Sequence, residues 1–268
     1  MQQRHSDRQQ YFNELANTSR DFYVDYLRPF VAFTPQTRVL EIGCGEGGNL
    51  LPFAEMGCQV KGIDLSEGRI EQAREFFAQA GRQGTFEAMN FITAEKPTTD
   101  DERFDIVLIH DVIEHIEPSY KPEFLSNVLP FMRGDALLYV GFPAWQMPFG
   151  GHQQITRGWA SKLPWIHLLP NAVYRWLLRR SGVREASINE LMSIKRSKMT
   201  IEGFTRLALS TGFDIVKRTE WFINPHYQQK FGLKARRLWT FLGRIPYLRN
   251  YYTTSVWFLL KRGNKETK

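Results

Sequence analysis

Two cysteines in 268 residues, Cys44 and Cys58, are too few for a disulfide-built scaffold. Cys44 stands inside a glycine run, where a bridge would distort the turn, so reduced thiols in a cytosolic protein are expected. Long apolar runs are also missing. The longest stretch free of Asp, Glu, Lys and Arg, 136–156, is broken by Pro143, Pro148, Gly150 and Gly151 and reads as strand plus loop, not as a membrane span. The first ten residues are polar and charged, so no secretory signal is expected there. Acids are scarce in one half only. Residues 151–268 hold 6 Asp+Glu against 22 Lys+Arg, a net +16, whereas residues 1–150 hold 22 against 13, a net −9. Tryptophan is absent before Trp145, and all 7 lie from there on. An acidic half thus joins a basic, tryptophan-rich half. Such a half suits an anionic partner: a membrane surface, a phosphate-bearing substrate or nucleic acid.

The apolar pattern sets the fold class. Aromatic and aliphatic residues at helical spacing over 11–32 predict one or two N-terminal helices. Strands are predicted at 38–42, 59–63, 85–89, 104–109, 136–142, 213–222 and 252–260. Helices are predicted between them, one opened by Ser66 and one by Thr200 as N-caps. The continuous apolar run of 104–109 suits a parallel strand buried on both faces. The alternation predicts an α/β protein with a doubly wound, mostly parallel, seven-stranded sheet and a basic, aromatic lid inserted after the fifth strand. The expected organisation is N-terminal helices at 1–35, a core at 36–142, a lid and acceptor-site insertion at 143–198, and a C-terminal core part at 199–268 carrying a basic insertion at 223–250. No internal repeat or low-complexity tract is present.

The most informative stretch is 39–50, a buried strand running into Gly43-Cys44-Gly45-Glu46-Gly47-Gly48, followed by a second strand ending on Asp64. That is how an open α/β sheet holds an adenosine-containing cofactor at the carboxyl ends of its strands. With Glu41 before the loop and Asp64 19 residues beyond Gly45, the chain resembles the class I S-adenosylmethionine (SAM)-dependent methyltransferases. The resemblance covers about 36–142 by motif and 200–262 by strand and helix pattern. It implies a SAM site at Glu41, Gly43, Cys44, Gly45, Gly47, Asp64, Leu65, Asn90, Phe91 and His110. Glu41 would hold the amino group, and Asp64 would accept hydrogen bonds from the ribose hydroxyls. The family often has Asp where Asn90 stands; an amide oxygen can still accept from the adenine amino group, and Phe91 is expected against the ring. Gly48 also completes a dinucleotide pattern, but Glu46 would sit close to a pyrophosphate, which disfavours NAD. Asp105 in the fourth strand adds to the methyltransferase reading.

Methyl transfer from a sulfonium needs alignment first, and a base only for an acceptor that enters protonated. His152, in a glycine-flanked loop after the fifth strand, is the expected base, with Asp111 as its companion at the acceptor side. The segment His110–His115 admits two readings. If it opens a helix, Asp111, Glu114 and His115 share one face and, with His152, form a metal cluster of the kind found in methyltransferases acting on catechol-like quinone precursors and RNA 2′-hydroxyls. The plainer reading needs no metal, because Asp111 as N-cap and Glu114 at the third helical position make a capping box. The expected site therefore holds no metal. His167 is expected in the core or at an interface, and His226 and Tyr227 at the acceptor pocket or in a turn.

The basic half carries two tryptophan- and arginine-containing segments, 159–184 and 234–244. They fit either a lipid-facing surface or a lid with solvated charges. The expected function is SAM-dependent methylation of a small-molecule acceptor, at an oxygen of a lipid-like or glycan-linked substrate. The expected place is the cytoplasm, peripheral to an anionic inner membrane face. The alternatives are a metal-assisted RNA 2′-hydroxyl methyltransferase, ranked lower because no RNA-recognition motif is present, and a non-catalytic SAM-fold binding module.

Overall fold

The structure, a computed structural model, describes residues 7–263. The first six residues of the expected N-terminal segment and the last five of the C-terminal part lie outside the described residues. Helix α1 (Arg8–Thr18) is capped by Asp7, whose side chain accepts from Gln10 N–H, and passes through one widened turn (Ser19–Tyr23) into α2 (Val24–Leu27). Then come β1 (Arg38–Ile42), α3 (Leu51–Glu55), β2 (Gln59–Asp64), α4 (Glu67–Gln79), β3 (Thr85–Ala88), β4 (Phe104–His110), α5 (Lys121–Ser126) and β5 (Met132–Phe142). The insertion holds α6 (Asn171–Arg180) and α7 (Glu185–Ser197). Beyond it run α8 (Ile201–Ser210), β6 (Phe213–Ile223), α9 (His226–Phe231), β7 (Arg236–Arg237), α10 (Thr240–Gly243), α11 (Arg249–Tyr252) and β8 (Ser255–Arg262).

The strands form one sheet in the order β3-β2-β1-β4-β5-β8-β6-β7. The first five are parallel, and β8 runs antiparallel between β5 and β6. The order reverses at β1, flanked by β2 and β4, and an open α/β sheet has its ligand crevice at such a point. The side chains of the inner strands alternate between two cores, as the two-residue period requires. Ile106, Leu108, Tyr139 and Trp257 join the aromatic cluster with Phe12, Tyr23 and Phe53, while Val107, Ile109, Val140 and Phe258 join Phe142 and Phe204 on the other face. Each such side chain withdrawn from water contributes about 1.5–3 kcal/mol.

Three expectations are corrected. Among the described residues the sheet has eight strands, not seven: two arginines of the basic segment, Arg236 and Arg237, pair with Ile223 and Trp221 at the sheet edge. Residues 111–116 form a turn rather than a helix start, because Asp111 has a left-handed backbone (φ 53°) and donates its N–H to Gly141 O. The last strand starts at Ser255, since Arg249–Tyr252 closes a helical turn first. The insertion has a small core of its own, built by Trp145, Tyr174, Leu178, Ile188 and Leu191. No helix of the described residues is long and apolar enough to cross a membrane.

Candidate functional site

The loop after β1 is shaped by what presses on it. At Gly43 (φ 76°) a Cβ would come within 2.4 Å of Val112 Cγ2, and at Gly48 one would meet the Phe12 carbonyl at 2.6 Å. Glycine therefore lets the turn after β4 and helix α1 close onto the loop from two sides. Cys44 is buried beneath it, and burial pushes its thiol far above the ordinary range. Gly45 (φ 52°) donates its N–H to Asp64 Oδ2, while Ser66 N–H donates to Oδ1, both at 2.9 Å. The carboxylate is thereby fixed at the end of β2. Gly47 packs against Phe86.

Glu41 is 1% exposed. Asn49 Nδ2 donates to its Oε1 at 2.7 Å, and its Oε2 has no partner. Burial pushes Glu41 up to about 8, opposed by the Asn49 hydrogen bond and reinforced by Asp64. An unsatisfied buried carboxylate oxygen is costly unless a ligand cation completes it. Asn49 directly follows the glycine loop, but its residue type there carries no signal of this role.

A cavity of about 580 Å³ opens beside this loop, walled by Gly43, Asp64, Leu65, Asn90, Phe91, Asp111 and His115. Leu65 is 76% exposed, an apolar side chain left at the rim. Asn90 Oδ1 accepts from Ile92 N–H at 3.1 Å, so it caps a turn while facing the cleft. Phe91 packs its ring on Phe124 and Phe131. Of the residues expected at the cofactor, Glu41, Cys44, Gly45 and Gly47 lie beneath or beside this cleft rather than in its wall. His110, also expected there, is engaged instead by two tyrosine hydroxyls, Tyr23 at 2.9 Å on Nε2 and Tyr139 at 3.2 Å on Nδ1.

Next to the cleft, Glu114, His115 and His152 bring one ligand atom each to within 4.8 Å of one another. The His115 and His152 rings meet edge to face at 5.1 Å, and His115 Nε2 lies 3.9 Å from Glu114 Oε1. Both carboxylate oxygens of Glu114 are buried without a hydrogen-bond partner. Burial, and then the field of Asp111, hold Glu114 well above the usual carboxylate range. Burial lowers His115, and it brings His152 down to about 4 with the neighbouring His115 adding to the shift, so that His152 is neutral near pH 7. The chain reaches this arrangement without the helix, through the left-handed turns at Asp111 and His152. Asp111 lies outside the three-atom cluster. The capping box is not formed.

Two tyrosines from distant parts of the chain lie within the electrostatic reach of Asp111. Tyr11 of α1 and Tyr227 of α9 are pushed up by burial and then by its charge, Tyr227 to about 12. Sequence reading noted Tyr227 and missed Tyr11, whose aromatic spacing on α1 signals only a packed face. Contact between α1 and α9, with Thr18 Oγ1 3.1 Å from His226 Nδ1, brings these elements together. His167 is a core residue, its Nε2 2.8 Å from Trp145 O.

Residues 39–134 match the family model described as a methyltransferase domain. Among curated relatives, a protein of Rhizobium rhizogenes named ubiquinone biosynthesis O-methyltransferase is 30% identical over 188 residues, 70% of this chain and 64% of the relative. One of the same name from Bartonella bacilliformis is 28% identical over 141 residues, 51% and 53% of the two chains. The chain therefore spans between about half and two thirds of the length of these relatives. In structure it is similar to a SAM-dependent methyltransferase from Clostridium acetobutylicum (TM-score 0.59, 9% identity, 92% of each chain). It is also similar to magnesium protoporphyrin IX methyltransferase of Synechocystis with bound S-adenosylhomocysteine (TM-score 0.55, 15% identity, 93% of this chain and 84% of that one).

Proposed function

We propose that the chain, whose residues 39–134 match a methyltransferase domain, is a class I SAM-dependent enzyme that methylates an oxygen of a lipid-like small molecule with the help of a divalent cation. The observation that carries this reading is the buried Glu114 carboxylate, unpartnered at both oxygens and facing His115 and His152. A carboxylate with two imidazoles is a donor set for Zn²⁺ or Mn²⁺, whereas Mg²⁺ would rest on the carboxylate and water. A cation there would supply the positive charge that eases deprotonation of a hydroxyl acceptor. The Rhizobium and Bartonella relatives, O-methyltransferases by name, support oxygen as the acceptor atom.

SAM supplies a methyl group already activated on a sulfonium, so the protein's own residues chiefly bind, orient and exclude water. The unpartnered Glu41 Oε2 fits an ammonium, and the two oxygens of Asp64, each holding one backbone N–H, keep lone pairs for ribose hydroxyls. Leu65 offers an apolar face at the cleft rim, and Asn90 a polar edge beside it. On the acceptor side His152 stays neutral, able to ligate a cation or to take the acceptor's proton. Tyr11 and Tyr227, both within the field of Asp111, add aromatic walls at the acceptor side. Segment 143–198 delivers His152 and acts as the cover of the acceptor side. A lipid-like acceptor places the enzyme at the cytoplasmic face of an anionic membrane.

The test is turnover of a catechol-type phenol with labelled SAM before and after chelation, with Mg²⁺, Mn²⁺ or Zn²⁺ restored. Loss on chelation and recovery with one cation supports the reading. Undiminished turnover without metal refutes the cation's part in it.

A further inference from the structure

From the edge of the sheet we infer that the segment around α10, and not the tryptophan-bearing helix α6, is the surface that docks on anionic phospholipid; the inference rests on the membrane reading given above. Arg218, Arg237 and Arg244 line one groove of about 270 Å³ together with Thr240. The only acid in its wall, Glu220, is engaged by Arg218 at 2.7 Å. Beside the groove Trp239 and Phe241 are 55% and 64% exposed, their rings nearly parallel at 6.4 Å. Ile245, Tyr247 and Leu248 follow, each also exposed. Between Glu220 and Glu266 the sequence has no Asp or Glu. Cationic groups and large apolar side chains thus share one acid-free stretch, the combination that seats on charged headgroups with its rings at the acyl boundary.

Helix α6 has the same residue types but ties two of its three arginines to one acid. Arg175 and Arg179 both pair with Glu185, and Arg175 also donates to Asn189. Its exposed Trp176 and Val173 therefore stand beside two arginines that share one carboxylate, with Arg180 as the third cation of the helix. A nucleic acid would also use arginine and aromatic rings, but it gains nothing from exposed aliphatic groups such as Ile245 and Leu248. A lipid surface uses all of them. The α10 segment ends in α11, which leads into β8 at Ser255 opposite Trp221, near the carboxyl end of β6; because β6 runs parallel to β5, that is the end of the sheet that carries the cofactor cleft. A lipid-like acceptor would then leave the membrane close to the site that modifies it.

The experiment is co-sedimentation of the full chain with vesicles of phosphatidylcholine alone and of phosphatidylcholine with phosphatidylglycerol, across a salt series. SAM affinity serves as the check on folding. Wild type is expected to bind the anionic vesicles and to release at high salt. The Arg237→Gln/Arg244→Gln variant is expected to lose about thirtyfold in partitioning. Trp239→Ser/Phe241→Ser should lose binding as well, and Val173→Ser/Trp176→Ser should keep it. If the α6 variant loses binding and the α10 variants do not, the inference is overturned while the membrane reading stands. If wild type binds neither vesicle, both fall. Binding of an RNA oligonucleotide that vesicles cannot displace from the α10 surface also overturns the inference.

Discussion

Glu41 sets an opposition between folding and binding. Held at about 8 by burial, it takes up a proton on folding between its ordinary acid value and about pH 8. The native state then binds more protons than the unfolded one, so the stability contributed at low pH is lost as pH rises through that window. Glu41→Gln is expected to raise the melting temperature of the cofactor-free protein at pH 8 and to weaken SAM binding by about ten- to hundredfold. Melts with and without SAM, at pH 5 and pH 8, read both signs together. A variant that melts lower at pH 8 without SAM would contradict the assignment. At the acceptor side, His152→Ala should cut turnover by about 10²–10⁴-fold while SAM affinity stays within twofold. Glu114→Gln removes the charge but keeps the shape, and should weaken cation binding by at least about tenfold, as seen by titration calorimetry. Near wild-type affinity for the cation would remove Glu114 from the ligand set.

At the scale of elements, the site depends on segments far apart in sequence being tied together. Glu202 of α8 is nearly buried and accepts from Tyr247 N–H, Arg249 Nε and Asn250 Nδ2, which anchors α11 and the basic segment before it. Glu202→Ala leaves Arg249 buried without its partner and should cost about 3 kcal/mol in urea unfolding. An effect below about 0.5 kcal/mol would mean the clamp is dispensable. The strands and the loop at Gly43–Gly47 were legible because period-two alternation and glycine spacing are local signals. The turn at Asp111 was not. A left-handed aspartate is decided by its bond to Gly141 on the neighbouring strand, a contact no local window contains. The pairing of Arg236 and Arg237 with β6 was equally hidden, because two arginines carry no strand signal of their own. The meeting of Glu114 and His115 with His152 was read in advance as the lesser alternative, on a helical spacing that does not exist. Three of the four residues of that expected cluster come together, Asp111 stays outside it, and a turn rather than a helix brings them there.

At the scale of the molecule, the proposed donor and acceptor chemistry draws on both halves of an asymmetric chain. The acidic half supplies Asp64 to the cleft, Glu41 beside it and Glu114 with His115 next to it, and the basic half supplies His152, Tyr227 and the arginine-rich edge. The central claim is that the two halves meet to methylate a lipid-like hydroxyl. The most direct measurement is incubation of the protein with labelled SAM and separated lipid, glycan and RNA extracts, each with and without chelator. The account predicts label in the lipid fraction, lost on chelation and restored by a divalent cation. Label in the RNA fraction alone, or lipid label indifferent to chelation, would contradict it.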